Sequence, residues 1–189
     1  MKNLSLILSF FVFLCLTPCV SLGNKKGSPK QKEQKEWIEI EPQLNLTHFL
    51  GPKVKDAQNN ILGGISFSYQ TIYQNYIWNL GAELDFFNLK NNEESISFTT
   101  LGAKTGFYFK PLFKSQKPIK PFVFLKAGIG QGKGLDSKEG CFYLGSNLGL
   151  SHQLFKHLVL KTFLPFDFYL LPSGYFFRLG LGISLAFVF

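Results

Sequence analysis

Residues 175–189 read YFFRLGLGISLAFVF. Tyr175, Phe177, Leu179, Leu181, Ile183, Leu185, Phe187 and Phe189 share one parity; Arg178, Gly180, Gly182, Ser184 and Ala186 share the other. Successive side chains of a strand point to opposite faces, so this is a β-strand with a bulky apolar face and a face of small groups and one cation. A water-facing surface gains nothing from glycine, whereas the interior of a narrow barrel needs the room. A wall of large apolar groups aggregates in water but is required against acyl chains. The small, charged side is therefore expected inside a barrel, and the hydrocarbon outside in lipid.

The same alternation recurs upstream from Trp37, with no helical period longer than a turn. In turn, Ile38, Ile40, Leu44 and Leu46 oppose Glu39, Glu41, Gln43, Asn45 and Thr47, and Ile61, Ile65, Phe67 and Tyr69 oppose Gly64, Ser66, Ser68 and Gln70. Residues 76–88 set Trp78, Leu80 and Leu84 against Asn79, Gly81, Glu83 and Asp85, and residues 96–110 set Leu101, Ala103 and Phe107 against Gly102, Lys104, Gly106 and Tyr108. Residues 120–130, 140–153 and 158–170 repeat the pattern with Phe124, Lys126, Tyr143, Asn147, Lys161, Asp167 and Tyr169 on the polar side. Ten glycines, at 64, 81, 102, 106, 128, 130, 145, 149, 180 and 182, fall on that side. With turn-prone stretches such as Gly51-Pro52-Lys53 and Leu171-Pro172-Ser173-Gly174 between segments, residues 37–189 predict an all-β fold. The expected architecture is an eight-stranded antiparallel up-and-down transmembrane β-barrel. Pro42 and Pro165 fall within strands and each removes a ladder donor, so a bulge or a strand boundary is expected at each.

The lumen-side ions nearly cancel: Glu39, Glu41, Glu83, Asp85 and Asp167 against Lys104, Lys126, Lys161 and Arg178. An unpaired buried charge costs several kcal/mol, so opposite signs are expected to pack together as a polar plug. Reflection about the turn between Pro172 and Ser173 sets Asp167 opposite Arg178, and reflecting the third and fourth strands brings Glu83 close to Lys104.

The whole chain has 189 residues, 22 of them Phe, and only 17% are charged, so something other than water is expected to cover part of the surface. Residues 1–23 have the layout of a secretory signal peptide: Met1-Lys2-Asn3, an apolar run from Leu4 to Leu16, then Thr17-Pro18-Cys19-Val20-Ser21. A lipoprotein reading through Cys19 fails because Pro18 stands where a small residue should precede it. Residues 24–36, with five lysines and two glutamates, predict a flexible basic leader. Removal of the signal peptide leaves Cys141 as the one thiol, which excludes an internal disulfide and a thiolate metal site.

The formal net charge of +8 does not indicate nucleic acid, because the excess lies in the leader and turns rather than along an aromatic-studded groove; lysines at the rims suit lipid phosphates. His48, His152 and His157 show no arrangement with serine or aspartate that signals catalysis. Gly128-Ile129-Gly130-Gln131-Gly132 is followed by no helix, so it is no phosphate-binding loop, and Asn45-Leu46-Thr47 is a sequon inside a strand. No catalytic residue, cofactor or metal is expected.

Residues 120–130, Lys-Pro-Phe-Val-Phe-Leu-Lys-Ala-Gly-Ile-Gly, and the ending Leu185, Phe187, Phe189 resemble the small outer-membrane β-barrels of the OmpA-like and OmpX-like superfamily, over residues 37–189. The resemblance implies a Gram-negative cell envelope, both termini in the periplasm, periplasmic turns near Tyr73, Ser115 and Phe155, and short outer loops at 50–60, 89–95, 131–139 and 171–174. It further implies that Leu185, Phe187 and Phe189 form the signal read by the barrel-assembly machinery. Implied partners are outer-membrane lipid and lipopolysaccharide, with host or surface ligands reaching the outer loops. No peptidoglycan-binding domain is expected, so that role does not transfer. The expected function is structural or surface-interacting, non-enzymatic and with a plugged lumen; the alternatives are a narrow, porin-like pore for small solutes and a lipid-modifying enzyme.

Overall fold

The computed structural model describes residues 36–52, 59–73, 76–90, 95–109, 119–133 and 138–189. Eight strands follow one another: β1 (Glu36–Leu50), β2 (Asn59–Tyr73), β3 (Tyr76–Lys90), β4 (Ser95–Tyr108), β5 (Ile119–Lys133), β6 (Lys138–Phe155), β7 (Leu158–Leu171) and β8 (Gly174–Val188). Each pairs antiparallel with its neighbours in sequence, and β8 pairs with β1, so the sheet closes as a meander without edges. This is the predicted eight-stranded up-and-down barrel. The expectations for residues 1–35, the signal peptide and most of the leader, lie outside the described residues, as does the turn near Ser115.

Register fixes the shape of the cylinder. The row from Ile38 runs through Tyr69, Leu80, Thr105, Leu125, Ser146, Phe166 and Leu179 and returns to β1 at His48, ten residues further along. Such a stagger tilts strands by about 35–45° from the barrel axis and leaves an interior just wide enough for side chains. The start of β1, the end of β8 and the β2–β3, β4–β5 and β6–β7 connections lie at one end, here the terminal end; the other four connections lie at the loop end.

Neither proline breaks register, contrary to the expectation of a bulge or boundary. Pro42 pairs with Ile65 on β2, and on its other side the β1–β8 ladder skips Glu41 and Pro42 and resumes in the same register. Pro165 likewise pairs with Asn147, and the β7–β8 ladder skips Leu164 and Pro165 without a shift. A strand residue addresses its N–H to one neighbour only, so a proline interrupts one ladder and leaves the other whole. The register shift falls instead between Gln153 and Phe155, beside the β6–β7 turn.

Alternation sorts the faces. Ile61 (67% exposed), Ile129 (65%) and Leu181 (57%) point outward, whereas Glu83 (1%), Lys161 (0%) and Arg178 (1%) are enclosed. Outward aromatics gather in two places. Tyr76, Trp78, Phe107 and Phe109 meet at the terminal ends of β3 and β4 with centroids 5.1–6.3 Å apart. Phe166, Phe168, Tyr175 and Phe177 meet at the loop ends of β7 and β8 at 5.0–6.3 Å. At the end of β1, Gly51 takes a positive φ of 145° and lies close against Phe176, where a side chain is excluded both by conformation and by space.

Candidate functional site: an ion-filled lumen under an aromatic stopper

The nine lumen-side ions named from the sequence all point into the barrel, where they form two groups. Nearer the terminal end, Lys161 Nζ lies 2.6 Å from Glu39 and 2.9 Å from Glu41, and Lys104 Nζ lies 3.0 Å from Glu41. Neutral donors complete the carboxylates: Ser68 and Gln70 donate to Glu39, while Ser66 and Ser184 donate to Glu41. Nearer the loop end, Lys126 Nζ lies 2.9 Å from Asp167 and 3.4 Å from Glu83. Arg178 bridges Asp85, at 3.2 Å, and Asp167. Gln43 Nε2 donates to Asp85 at 2.8 Å and the Tyr143 hydroxyl to Glu83 at 3.1 Å. Each charge therefore has a counter-charge, the condition under which an ionic interior is tolerated.

Asp167 and Arg178 are direct cross-strand partners, as reflection about the turn places them. The second reflected pair differs. Glu83 stands opposite Gly102, Lys104 turns to Glu41 and Glu83 is met by Lys126. Lys104 and Glu41 belong to β4 and β1 and meet across the lumen, a contact that no pairing of adjacent strands can foretell.

Aromatic rings fill the rest, and most of them were not singled out from the sequence. At the loop end Phe49, Phe87, Phe98, Phe176, Tyr143 and Tyr169 pack with Leu62, Leu89, Cys141 and Leu171 into a buried cluster above Arg178. Tyr169 stacks on Phe176 at 4.6 Å and Phe87 on Phe98 at 5.1 Å. A second cluster, Tyr108, Phe122, Phe124 and Phe163, lies beside the terminal-end ions; Lys104 Nζ stands 5.2 Å from the Phe124 ring and Lys161 Nζ 5.5 Å from that of Tyr108. Rings at that distance stabilise cations through their quadrupole. The available signal was weak: the doublets Phe86-Phe87 and Phe176-Phe177 place a ring on both faces, which hides the alternation.

The lumen glycines make room for these groups. A methyl carbon at Gly145 overlaps the Asp167 carboxylate, and one at Gly102 overlaps the Tyr143 hydroxyl; at the outward Gly63 it meets nothing. A cavity of about 60 Å³ at the terminal end is lined by residues including Glu39, Gln70, Tyr108, Lys120 and Ser151, room for a few waters rather than for a ligand of ordinary size.

The three histidines do not converge. His48 lies on β1 toward the loop end, His152 on β6, and His157 in the β6–β7 turn, where its Nδ1 donates to the Val188 carbonyl at 2.8 Å. Among the described residues no three His, Cys, Asp or Glu side chains are placed to hold a metal ion. Leu185, Phe187 and Phe189 all face outward, and Phe189 exchanges two backbone bonds with Ile38, at 2.9 and 3.2 Å, that close the barrel.

No family model matches this sequence, and no curated protein matches it. Solved structures do share its fold. Neisserial surface protein A superposes with a TM-score of 0.60 at 12% identity, covering 78% of this chain and 95% of that one. A major outer membrane protein from Thermus thermophilus gives 0.55 at 11%, covering 82% and 100%. Ail, the attachment invasion locus protein of Yersinia pestis, gives 0.52 at 14%, covering 81% and 99%. The chain has the fold of these small eight-stranded outer-membrane barrels.

Proposed function

We propose that this protein is an integral barrel of a Gram-negative outer membrane, with a structural or surface-interacting role and a closed lumen. The observation that carries the reading is the sorting of the wall: exposed Leu, Ile and Phe outside, and nine fully enclosed ions packed with aromatic rings inside. That distribution is unfavourable in water and is the one a bilayer demands of a β-barrel. On this reading the terminal end faces the periplasm, the loop end faces outward, and the partners are outer-membrane lipid, lipopolysaccharide and whatever meets the outer connections. A signal peptide over residues 1–23 directs export, and the barrel-assembly machinery reads Leu185, Phe187 and Phe189. Catalysis is not part of the proposal, since the histidines stand apart and the ions are engaged with one another. The test is fractionation of expressing cells, with gel mobility compared before and after boiling. The expected result is outer-membrane recovery and a heat-dependent shift; recovery in the soluble periplasm with unchanged mobility overturns the reading.

A further inference from the structure

We propose that the outward loop-end rim of β3–β6 binds the phosphate groups of an anionic lipid headgroup. The inference rests on the outer-membrane reading above and adds a site to it. Three successive outward rows on β4–β6 change character toward the loop end. Leu101, Ile129 and Phe142 form an apolar row, Thr99, Gln131 and Gly140 a hydrogen-bonding row, and Ser97, Lys133 and Lys138 a cationic row that Asn88 of β3 extends. Apart from the half-buried Phe142, all these residues are exposed. On the far wall the corresponding rows stay apolar to their ends: Phe168 opposite Phe177, then Leu170 opposite Tyr175. The apolar band is therefore oblique: it stops short on β4–β6 and runs on to the loop end along β7 and β8.

The sequence of rows matches an amphiphile lying along the wall: acyl chains on Leu101 and Ile129, glycerol or sugar oxygens on Thr99 and Gln131, phosphate on the lysines. Lys133 and Lys138 are direct cross-strand partners, and like charges placed opposite each other are destabilising unless an anion lies between them. Among the described residues no carboxylate faces outward at this end. Glu139, next to Lys138, turns over the lumen mouth and accepts the Ser173 N–H at 2.9 Å. Gly140 leaves the space beside the lysines open, since a side-chain carbon there meets only one backbone oxygen, at 4.0 Å.

The experiment uses the folded chain in neutral detergent, with bound lipid counted by native mass spectrometry during titration with bisphosphorylated lipid A. Matched titrations use phosphatidylcholine and inorganic phosphate. Wild type is expected to retain lipid A in preference to phosphatidylcholine, with free phosphate at the same concentration failing to displace it. The pair Lys133→Gln and Lys138→Gln should weaken lipid A binding by about tenfold or more, and raised salt should do the same to wild type. Lys156→Gln, in the turn at the opposite end, should leave binding unchanged. Equal retention by the double variant, equal retention of phosphatidylcholine, or displacement by free phosphate overturns the site. Each sample is first checked for a heat-dependent mobility shift: absence of the shift in wild type refutes the barrel reading itself, whereas a folded barrel with unaltered lipid binding refutes only the rim. If the double variant does not fold, the single variants and the salt dependence decide the same question.

Discussion

Gly145 and Gly63 are chemically identical and do opposite things. Gly145 faces the lumen beneath the Asp167 carboxylate, so an added methyl must displace a group already held by Lys126 and Arg178; Gly63 faces outward into open space. Overpacking of a filled interior costs typically about 1–3 kcal/mol. Gly145→Ala is therefore expected to lower unfolding free energy by that amount in urea titrations of the bilayer-inserted barrel, while Gly63→Ala leaves it unchanged or slightly raised. Equal effects would show that parity does not separate a confined face from an open one. Arg178 carries a larger stake, because it is shared by Asp85 and Asp167 and all three are enclosed. Arg178→Met leaves two buried carboxylates short of a counter-charge and should cost about 3–5 kcal/mol. Adding Asp167→Asn to that variant should recover part of the loss, a coupling measured by the double-mutant cycle. These residues were legible from the sequence because all nine ions and most of the strand glycines fall on the parity opposite the bulky apolar groups. Their partners were legible only where the two strands are joined by a short turn, as for Asp167 and Arg178.

At the scale of the strand, β8 is the element with interrupted ladders on both sides. Pro42 opens a gap facing Leu185 and Ala186, and Pro165 opens one facing Gly180 and Leu181, yet register continues through both. The sequence shows the prolines but not this outcome, because a missing donor affects one neighbour while the lumen and outer contacts of the strand hold it in line. Amides of β8 beside the gaps should exchange hydrogen faster than those of Phe177 or Ile183, which lie in unbroken stretches of the ladders. Uniform protection along β8 would mean that the interruptions carry no local weakness. The seam with β1 is closed at its terminal end by the two bonds between Phe189 and Ile38, while His157 in the neighbouring turn holds Val188. Deleting Phe189 removes both bonds, and the fraction of chain reaching the heat-modifiable form should fall; Phe189→Ala, which keeps the backbone bonds, separates their loss from the loss of the ring.

For the whole molecule, the question is whether a closed cylinder is also a closed channel. Eight strands at this stagger leave an interior that side chains can fill, and here they do so in series. Ion pairs joined across the lumen come first, and above them the rings of Phe49, Phe87, Phe98, Tyr169 and Phe176. The sequence revealed the ionic layer but only part of the aromatic one, since near the loop end rings occupy both parities. Two unlike barriers make a sharp expectation. Planar bilayers carrying the purified barrel should show no steady current above leak. Phe98→Ala with Phe176→Ala should remove rings from the stopper yet still give none, because Arg178, Asp85 and Asp167 remain locked beneath it. A current should require a further change that opens the ionic layer, such as Arg178→Ala with Asp85→Ala. Stable unitary currents in the unmodified protein would mean that the ion pairs part readily in the membrane, and the narrow-pore reading would then replace the plugged one.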